Sequence, residues 1–373
     1  MRARGKNDDR EGKDLVIFPV TDAGYALSRK IARSLPGSRV YRPEELKRGS
    51  LSRRVKEEFG RSRGEGGGGA GGGGGAGGLV FICAAGIAVR AVAPLLRGKH
   101  LDPAVVVADE MGGFVISLLS GHLGGANALA RRLARLLNAT PVITTATDIR
   151  GLACVEEIAG EFSLAIEDVG KIKTINSAIL KGGVEIIDKN PRRLKAVRVF
   201  LGPSNRGVFS FAKSFIEAPG IRARVFISSS TEQEIPVSMR RTTLVLRPRE
   251  FVVGVGSRRS VSTKEVEGAV KGVFKDAGLS ILSIRNIATI DIKRDEAGIT
   301  GFARRLGCAV EYYGSGELKR VPRPRASKTV LEKTGTGSVS EAAALISSGA
   351  RRLWRRKKKA ERVTVAVARV PFT

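Results

Sequence analysis

Phe114-Val115-Ile116-Ser117-Leu118-Leu119 runs directly into Ser120-Gly121-His122-Leu123-Gly124-Gly125-Ala126-Asn127, and the reading of this stretch decides the fold. The first segment is short, apolar and branched, which predicts a buried strand. Beyond the second, Leu129, Leu133, Leu136 and Leu137 recur at helical spacing. Arg131, Arg132 and Arg135 fall on other faces, and Asn138 stands where a helix commonly ends. A strand that turns on glycines into a helix is the building unit of an α/β sheet. His122 lies at that turn. There the first N–H groups of a helix are unpaired, the macrodipole favours an anion, and glycine lets a ligand approach the backbone. Histidine is also the side chain whose ordinary titration lies nearest neutrality, so an acid–base role fits the position. Tight strand–helix packing with a capping histidine would produce the same pattern.

Working outward, Leu79–Cys83 reads as a central strand, followed by a turn at Ala84-Ala85-Gly86 and a helix from Ile87 to Leu96 that carries Arg90. Ala104–Ala108 is a further strand ending in Asp109-Glu110, and Met111-Gly112-Gly113 is a hairpin-like link to Phe114. Pro141–Thr144 is another strand, ending in Thr144-Thr145-Ala146-Thr147-Asp148. Toward the N-terminus, Leu15–Pro19 is a strand, Thr21 or Asp22 caps a helix through Leu35, and Pro43–Phe59 is a charged helix. Gly64 to Gly78 is nearly all glycine and predicts a flexible surface loop. It is no phosphate cradle, because Leu79 follows where Lys and Ser/Thr would be needed. Strands alternating with helices imply a mostly parallel sheet, whose ligands bind at the carboxyl ends of the strands. Asp109, Glu110, Ser120, His122, Thr145 and Asp148 are expected to gather there.

The middle of the chain offers a helix near Lys171–Leu180 and short strands at Val184–Ile187, Val225–Ile227 and Thr243–Leu246. The β–α alternation resumes with strand Phe251–Val255, helix Ser262–Asp276, a strand near Ile281–Ile287, helix Arg294–Leu306 and strand Ala309–Tyr312. Helix Val339–Ile346 and strand Val363–Val370 complete it. The expected fold is α/β, two α/β domains with mostly parallel sheets joined by a small middle domain, divided at 1–155, 156–249 and 250–373. Gly254-Val255-Gly256-Ser257-Arg258-Arg259 lacks the third glycine of a dinucleotide fingerprint, which argues against NAD. Arg258 and Arg259 at such a turn suit carboxylates, which guanidinium forks bind bidentately.

Composition narrows the partners. The chain has 373 residues and a formal net charge of +29, part of it in the run Arg351, Arg352, Arg355, Arg356, Lys357, Lys358, Lys359. Nucleic acid, an anionic membrane surface or a polyanionic small molecule would each fit that charge. Nucleic acid is disfavoured, because 4 Tyr and 1 Trp provide few stacking platforms and no recognisable motif accompanies them. No stretch approaches a membrane span, and the charged first residues carry no apolar signal core, so a cytoplasmic protein is expected. Cys83, Cys154 and Cys308 are scattered, which argues against a disulfide framework and a zinc site.

With these motifs in place, the chain resembles the CbiG family of cobalamin biosynthesis, the cobalt-precorrin-5A hydrolases of the anaerobic corrin pathway. The resemblance covers most of the chain outside the middle segment. It rests on Gly86-Ile87-Ala88-Val89-Arg90, on Asp102-Pro103-Ala104-Val105-Val106-Val107, on Leu118 through Asn127, and on Ile143 through Asp148. In the C-terminal part it rests on Gly254-Val255-Gly256 with Arg258-Arg259, on Ala288 through Lys293 with Asp295-Glu296, and on Gly337 through Leu345. Ser257 departs from the family, which often has Cys there, and Ser260-Val261 stands where the family has Gly-Thr. The glycine loop and the basic run 351–359 are also not typical.

The resemblance implies an enzyme that opens the ring A lactone of cobalt-precorrin-5A and releases acetaldehyde to give cobalt-precorrin-5B. Cobalt arrives inside the substrate, so no cofactor and no protein metal site are expected. His122 is implied as general base or acid, with Glu110 or Asp109 as the orienting or second carboxylate. Amides near Gly124 and Gly125 are implied as oxyanion donors. Ser120 is a candidate nucleophile, although direct attack by water is preferred because Leu118 breaks a Gly-x-Ser-x-Gly elbow. Arg90, Gly121, Asn127, Thr145, Asp148, Arg258, Arg259, Lys293 and Glu296 are expected to contact the substrate. The partner is then an anionic cobalt-corrinoid, with hand-over to other enzymes of the pathway. A non-catalytic corrinoid-binding or chaperone role is the alternative.

Overall fold

The computed structural model describes residues 15–47, 49–62, 77–98, 101–232, 235–321 and 338–372. The expected glycine loop lies outside these, apart from Gly77 and Gly78. The chain forms two compact units, Met1–Leu152 and Ala153–Thr373.

The first unit is built on β1 (Val16–Pro19), β2 (Arg39–Val40), β3 (Leu79–Ile82), β4 (Val105–Ala108), β5 (Phe114–Leu119) and β6 (Thr140–Val142). They form a 6-stranded sheet in the order β2-β1-β3-β4-β5-β6. Its helices are α1 (Asp22–Ser34), α2 (Ser50–Ser62), α3 (Ala85–Val92), α4 (Ala126–Leu137) and the short α5 (Ala146–Ile149). β1, β3 and β4 are buried along their whole length, as strands covered on both faces must be. Alternation sends Ile17, Val80, Ile82 and Val106 to a core with Ile31 and Leu133. Phe18, Phe81 and Val107 face the other way, toward Val55, Phe59 and Ala88.

Three local expectations shift. The charged helix 43–59 is two pieces, a 3-10 turn at Pro43–Leu46 and then α2, because Gly49 at φ +78° breaks the helical path. The helix expected at 87–96 starts two residues earlier and tightens into a 3-10 turn at Ala93–Leu95, where Pro94 removes a donor. The strand expected at 141–144 is Thr140–Val142.

One topological feature governs the site. β1, β3 and β4 run parallel, β5 runs antiparallel to β4, and β6 runs parallel to β5. The strands therefore end at two opposite edges. β1, β3 and β4 deliver Thr21, the α3 turn and Asp109-Glu110 to one edge, and β5 and β6 deliver Ser120–Gly125 and Thr145–Asp148 to the other.

The second unit holds two sheets. β7 (Leu164–Ile166), β8 (Val184–Asp188), β9 (Phe209–Ala212), β10 (Ala223–Ile227) and β11 (Thr243–Pro248) form one, in the order β7-β11-β10-β8-β9. Helices α6 (Val155–Glu161), α7 (Ile172–Lys181) and α8 (Pro191–Leu201) accompany it. Its pairings are parallel except β7 with β11.

β12 (Phe251–Ser257), β13 (Ile284–Ile290), β14 (Ala309–Tyr313), β15 (Leu353–Ala360) and β16 (Val363–Arg369) form the other sheet, ordered β14-β13-β12-β16-β15. The first three are parallel, and β16 and β15 close it as an antiparallel hairpin. Among its helices, α9 (Thr263–Asp276) and α10 (Ala297–Leu306) cover one face, packing Val270, Phe274 and Phe302 on Phe251, Val253 and Val365. After the short α11 (Ser315–Lys319), α12 (Val339–Ser348) covers the opposite face, placing Val339, Ala342 and Ala343 on Val252, Ala288 and Ile290. A Cβ at Gly254 would lie 1.8 Å from the Ser340 carbonyl oxygen, so the α12 backbone rests directly on β12. Most of the basic run 351–359 thus lies in β15, an exposed edge strand. Among the described residues no helix is long and apolar enough to cross a membrane.

Candidate active site

The turn between β5 and α4 is shaped by the backbone. Ser120 at φ 57° and Gly125 at φ 86° fold the loop back, so that the Gly125 N–H donates to the His122 carbonyl, Ala126 to Ser120 and Asn127 to Gly121. The amides expected to face a ligand are therefore partly consumed: Gly125 is not an oxyanion donor, because its N–H is already taken. Among the described residues the Gly124 N–H has no acceptor. Gly124 itself is confined, since a Cβ there would lie 2.4 Å from Ser120 Cβ.

His122 is 13% exposed at its side chain and points its Nε2 at Thr147 Oγ1, 3.0 Å away. The Asp148 Oδ2 is 3.7 Å from the same nitrogen. β6 runs parallel to β5, so the short α5 that follows it begins beside the histidine turn and brings both residues in. Asp148 is 6% exposed and fixed from two further sides: Asn127 Nδ2 donates to Oδ2 at 2.9 Å, and Arg131 donates to Oδ1 at 2.5 Å. Asn127, 4% exposed, also donates to Thr145 Oγ1 at 2.9 Å and accepts from Ser117 Oγ at 2.6 Å. Gly121 is required by that side chain, because a Cβ there would meet Asn127 Oδ1 at 2.6 Å.

The structure brings His122, Ser120, Gly121, Asn127, Thr145 and Asp148 together at one turn. The Asn127 amide is engaged by Asp148, Thr145 and Ser117, and the Thr145 hydroxyl accepts from Asn127. The imidazole's hydrogen-bond partner is Thr147, and no such bond joins it to Ser120. Thr147 and Arg131 were not singled out from the sequence. Thr147 lies in the hydroxyl-rich stretch Thr144–Asp148, and Arg131 follows Asn127 by one helical turn, a spacing that places both on one face.

Asp109 and Glu110 are absent from this cluster, and the expectation that either orients His122 is corrected. The antiparallel β4–β5 pairing puts them at the far end of β4, about 13 Å of strand away. Asp109 instead builds its own turn, accepting from the Met111, Gly113 and Phe114 N–H groups at 2.9, 3.2 and 2.5 Å. Burial pushes its pKa up, but the Phe114, Gly113 and Met111 N–H groups outweigh this and hold it below the ordinary aspartate value. Glu110 accepts from Thr21 Oγ1 at 2.7 Å, and Arg90 donates to the Gly86 carbonyl at 3.2 Å on the same edge. Arg90 is therefore also remote from His122.

In the C-terminal sheet, Arg258 and Arg259 are exposed beyond the end of β12. Lys293 and Glu296 follow the neighbouring β13 and pair at 3.1 Å, and Glu296 also accepts from the Ser260 N–H at 3.3 Å. Burial raises the Glu296 pKa, but Lys293 and the Ser260 amide prevail and lower it. Lys293 is thus neutralised by Glu296 rather than left as a free cation. The cysteines are free, and burial pushes the thiols of Cys83 and Cys308 up to about 11 and raises Cys154 as well. None is a thiolate at neutral pH.

The family described as Cobalamin synthesis G N-terminal matches residues 74–148, which hold the His122 cluster, and Cobalamin synthesis G C-terminus matches residues 251–368. The chain is 30% identical to the cobalt-precorrin-5A hydrolase of Priestia megaterium over 360 residues, 96% of each chain. It is 29% identical to the protein of the same name from Salmonella typhimurium, covering 90% of this chain and 93% of the relative. A cobalamin biosynthesis protein G homolog from Sulfolobus solfataricus aligns over 97% of this chain with 22% identity and a TM-score of 0.38. With both halves matched and a relative similar from end to end, the chain belongs to the CbiG family of cobalamin biosynthesis.

Proposed function

We propose that the protein is a cobalt-precorrin-5A hydrolase that opens the ring A lactone at the His122 turn and releases acetaldehyde, yielding cobalt-precorrin-5B. End-to-end similarity to two proteins bearing the hydrolase name supports the substrate class. The observation that carries the chemistry is the grip on one side of the imidazole: Nε2 faces Thr147 Oγ1 and the anchored Asp148. With Nε2–H donating to Thr147, the lone pair resides on Nδ1, and His122 is a general base.

Nδ1 takes a proton from water as the water oxygen attacks the lactone carbonyl carbon. The imidazolium formed is stabilised by the Asp148 carboxylate, while the Gly124 N–H serves the developing oxyanion. Collapse breaks the bond to the ring oxygen, His122 returns its proton to that leaving alkoxide, and a carboxylate and an alcohol result. The alcohol carbon, which carries the methyl group, then leaves as acetaldehyde: the hydroxyl gives up its proton as the C=O forms, the carbon–carbon bond to the macrocycle breaks, and the conjugated ring takes up the electron pair. Ser120, left of the base's hydrogen bond, stays outside this scheme. Cobalt enters as part of the substrate.

The test is incubation of the purified protein and of His122→Ala with cobalt-precorrin-5A, assaying acetaldehyde. Wild type should release it, and His122→Ala should lose at least about a hundredfold in rate, the usual share of general acid–base catalysis, while still binding the corrinoid. Turnover by the variant within a few-fold of wild type removes His122 from the mechanism. Binding without acetaldehyde from wild type indicates a carrier.

A further inference from the structure

β15 presents Arg355, Arg356, Lys357, Lys358 and Lys359 in one run, and strand pairing sorts this charge onto two faces. Lys358 lies opposite Val365 and Arg355 opposite Val367, and both valines belong to the core beneath α9. On that face the charge is answered. Lys358 ion-pairs with the Asp276 carboxylate at the end of α9, and Arg355 donates to the Asp276 carbonyl at 3.1 Å.

The other face is different. Lys359 lies opposite Thr364, which in turn lies opposite Gly256. A Cβ on Gly256 would sit 3.9 Å from Val339 Cβ and from the Ser340 nitrogen, so this row faces the start of α12. The β15–β16 register shifts between Arg355 and Lys358, which is why those two share a face three residues apart; Lys357, adjacent to the regularly paired Lys358, falls on the opposite face, that of Lys359. Its backbone N–H donates at 3.1 Å to Glu341, in the first turn of α12, so the nearby carboxylate holds the strand and not an ammonium group. Among the described residues, neither Lys357 nor Lys359 has an acidic partner. The hairpin also ends where β12 ends, because Ser257 pairs with Val363 and the Arg258 N–H donates to the Arg362 carbonyl at 2.9 Å. Two unanswered lysines therefore lie at the same sheet end as Arg258 and Arg259.

We propose that Lys357 and Lys359 are substrate-recognition residues, each taking a peripheral carboxylate of the corrinoid. This rests on the substrate being the polycarboxylate of the proposed function. Residues two apart on a strand are about 6.6 Å apart, too far to share one carboxylate and suited to two separate arms. Lysine is a compact charge on a flexible stem, which fits arms that are themselves mobile. A mere guard against edge-to-edge pairing would need charge on the strand but would not distinguish its two faces.

The experiment compares Lys357→Gln/Lys359→Gln with Arg355→Gln/Lys358→Gln, which loses equal charge from the α9 face. Cobyrinic acid, a cobalt corrinoid with free carboxylate arms, is titrated into each protein and followed by its visible absorption at low and high salt. The α12-face pair should raise Kd by about 5- to 30-fold, the effect of losing two partly exposed ion pairs, and should flatten the salt dependence. The α9-face pair should stay within twofold. Lys357→Arg/Lys359→Arg should restore most of the affinity, which excludes misfolding as the cause. Equal weakening in both double variants, no weakening in either, or no binding by wild type overturns the proposal. Because the titration requires no turnover, failure of wild type to release acetaldehyde would count against the hydrolase reading alone.

Discussion

Replacing Asp148 by Asn isolates what the carboxylate does for His122. The exchange keeps the shape but removes the charge. In the wild type, Oδ2 accepts from Asn127 at 2.9 Å and stands 3.7 Å from His122 Nε2, while Oδ1 accepts from Arg131. An amide offers only one acceptor oxygen, and the less costly orientation keeps it toward the buried Asn127. The new NH2 then opposes Arg131, whose side chain is 43% exposed and can turn to water. Stability should fall by only about 1 kcal/mol, the worth of one exposed charged pair. The effect on the reaction is larger, because a positive charge forms on the imidazole when it accepts the proton. Two unit charges at this separation interact by about 1 kcal/mol in water and about 4 kcal/mol at an effective dielectric near 20. With side chains 13% and 6% exposed, the pair lies nearer the second value. A loss of about 2–4 kcal/mol in transition-state stabilisation corresponds to a kcat about 30- to 1000-fold lower, with KM little changed. Steady-state kinetics on cobalt-precorrin-5A at neutral pH reads both parameters. A folded Asp148→Asn protein whose kcat lies within twofold of wild type would refute the assignment of Asp148 as the partner of the imidazolium.

Two predictions concern structure alone. Gly254→Ala forces a methyl group to within 1.8 Å of the Ser340 carbonyl oxygen, so α12 must retreat from β12 by about an ångström. Denaturant unfolding should show a loss of about 3 kcal/mol or more, and a loss under about 1 kcal/mol would mean that α12 does not sit on that strand. Asp109→Asn tests the β4–β5 turn through pH: the folded-state pKa is lowered, so the unfolded chain binds a proton more readily. Asp109 therefore stabilises the fold above about pH 4, and this contribution fades as pH falls through the lower folded value. The variant should be less stable than wild type at pH 7, by on the order of 1 kcal/mol, and the gap should shrink toward pH 3. A gap that stays constant with pH would show that the charge of Asp109 plays no part.

Much of this protein is legible in local sequence. The apolar runs at 79–82 and 105–108 are strands because both sheet faces are covered, and no polar alternation interrupts them. The leucine spacing after Asn127 marks α4, which ends at Asn138 in the left-handed region at φ 58°. Ser262 caps α9 with Glu265 in the reciprocal pattern that favours a helix start. The histidine turn and the arrival of Thr145 and Asp148 beside it also follow from motifs. The exclusion of Asp109 and Glu110 from that turn does not. The β–α alternation suggested one ligand edge and placed Asp109 and Glu110 on it, although the few residues between Ala108 and Phe114 are too short for a parallel crossover. That connection length was the available signal for strand reversal. The hydrogen bonds that spend the Gly125 amide, the Asn127 side chain and Lys293 had no such signal. Nor did the division of the β15 charge between an answered face and an open one. Propensity and periodicity act within a segment and are written in consecutive residues. Strand direction, the face a side chain takes and whether a polar group is already satisfied depend on partners distant in sequence, and register in the folded sheet decides them.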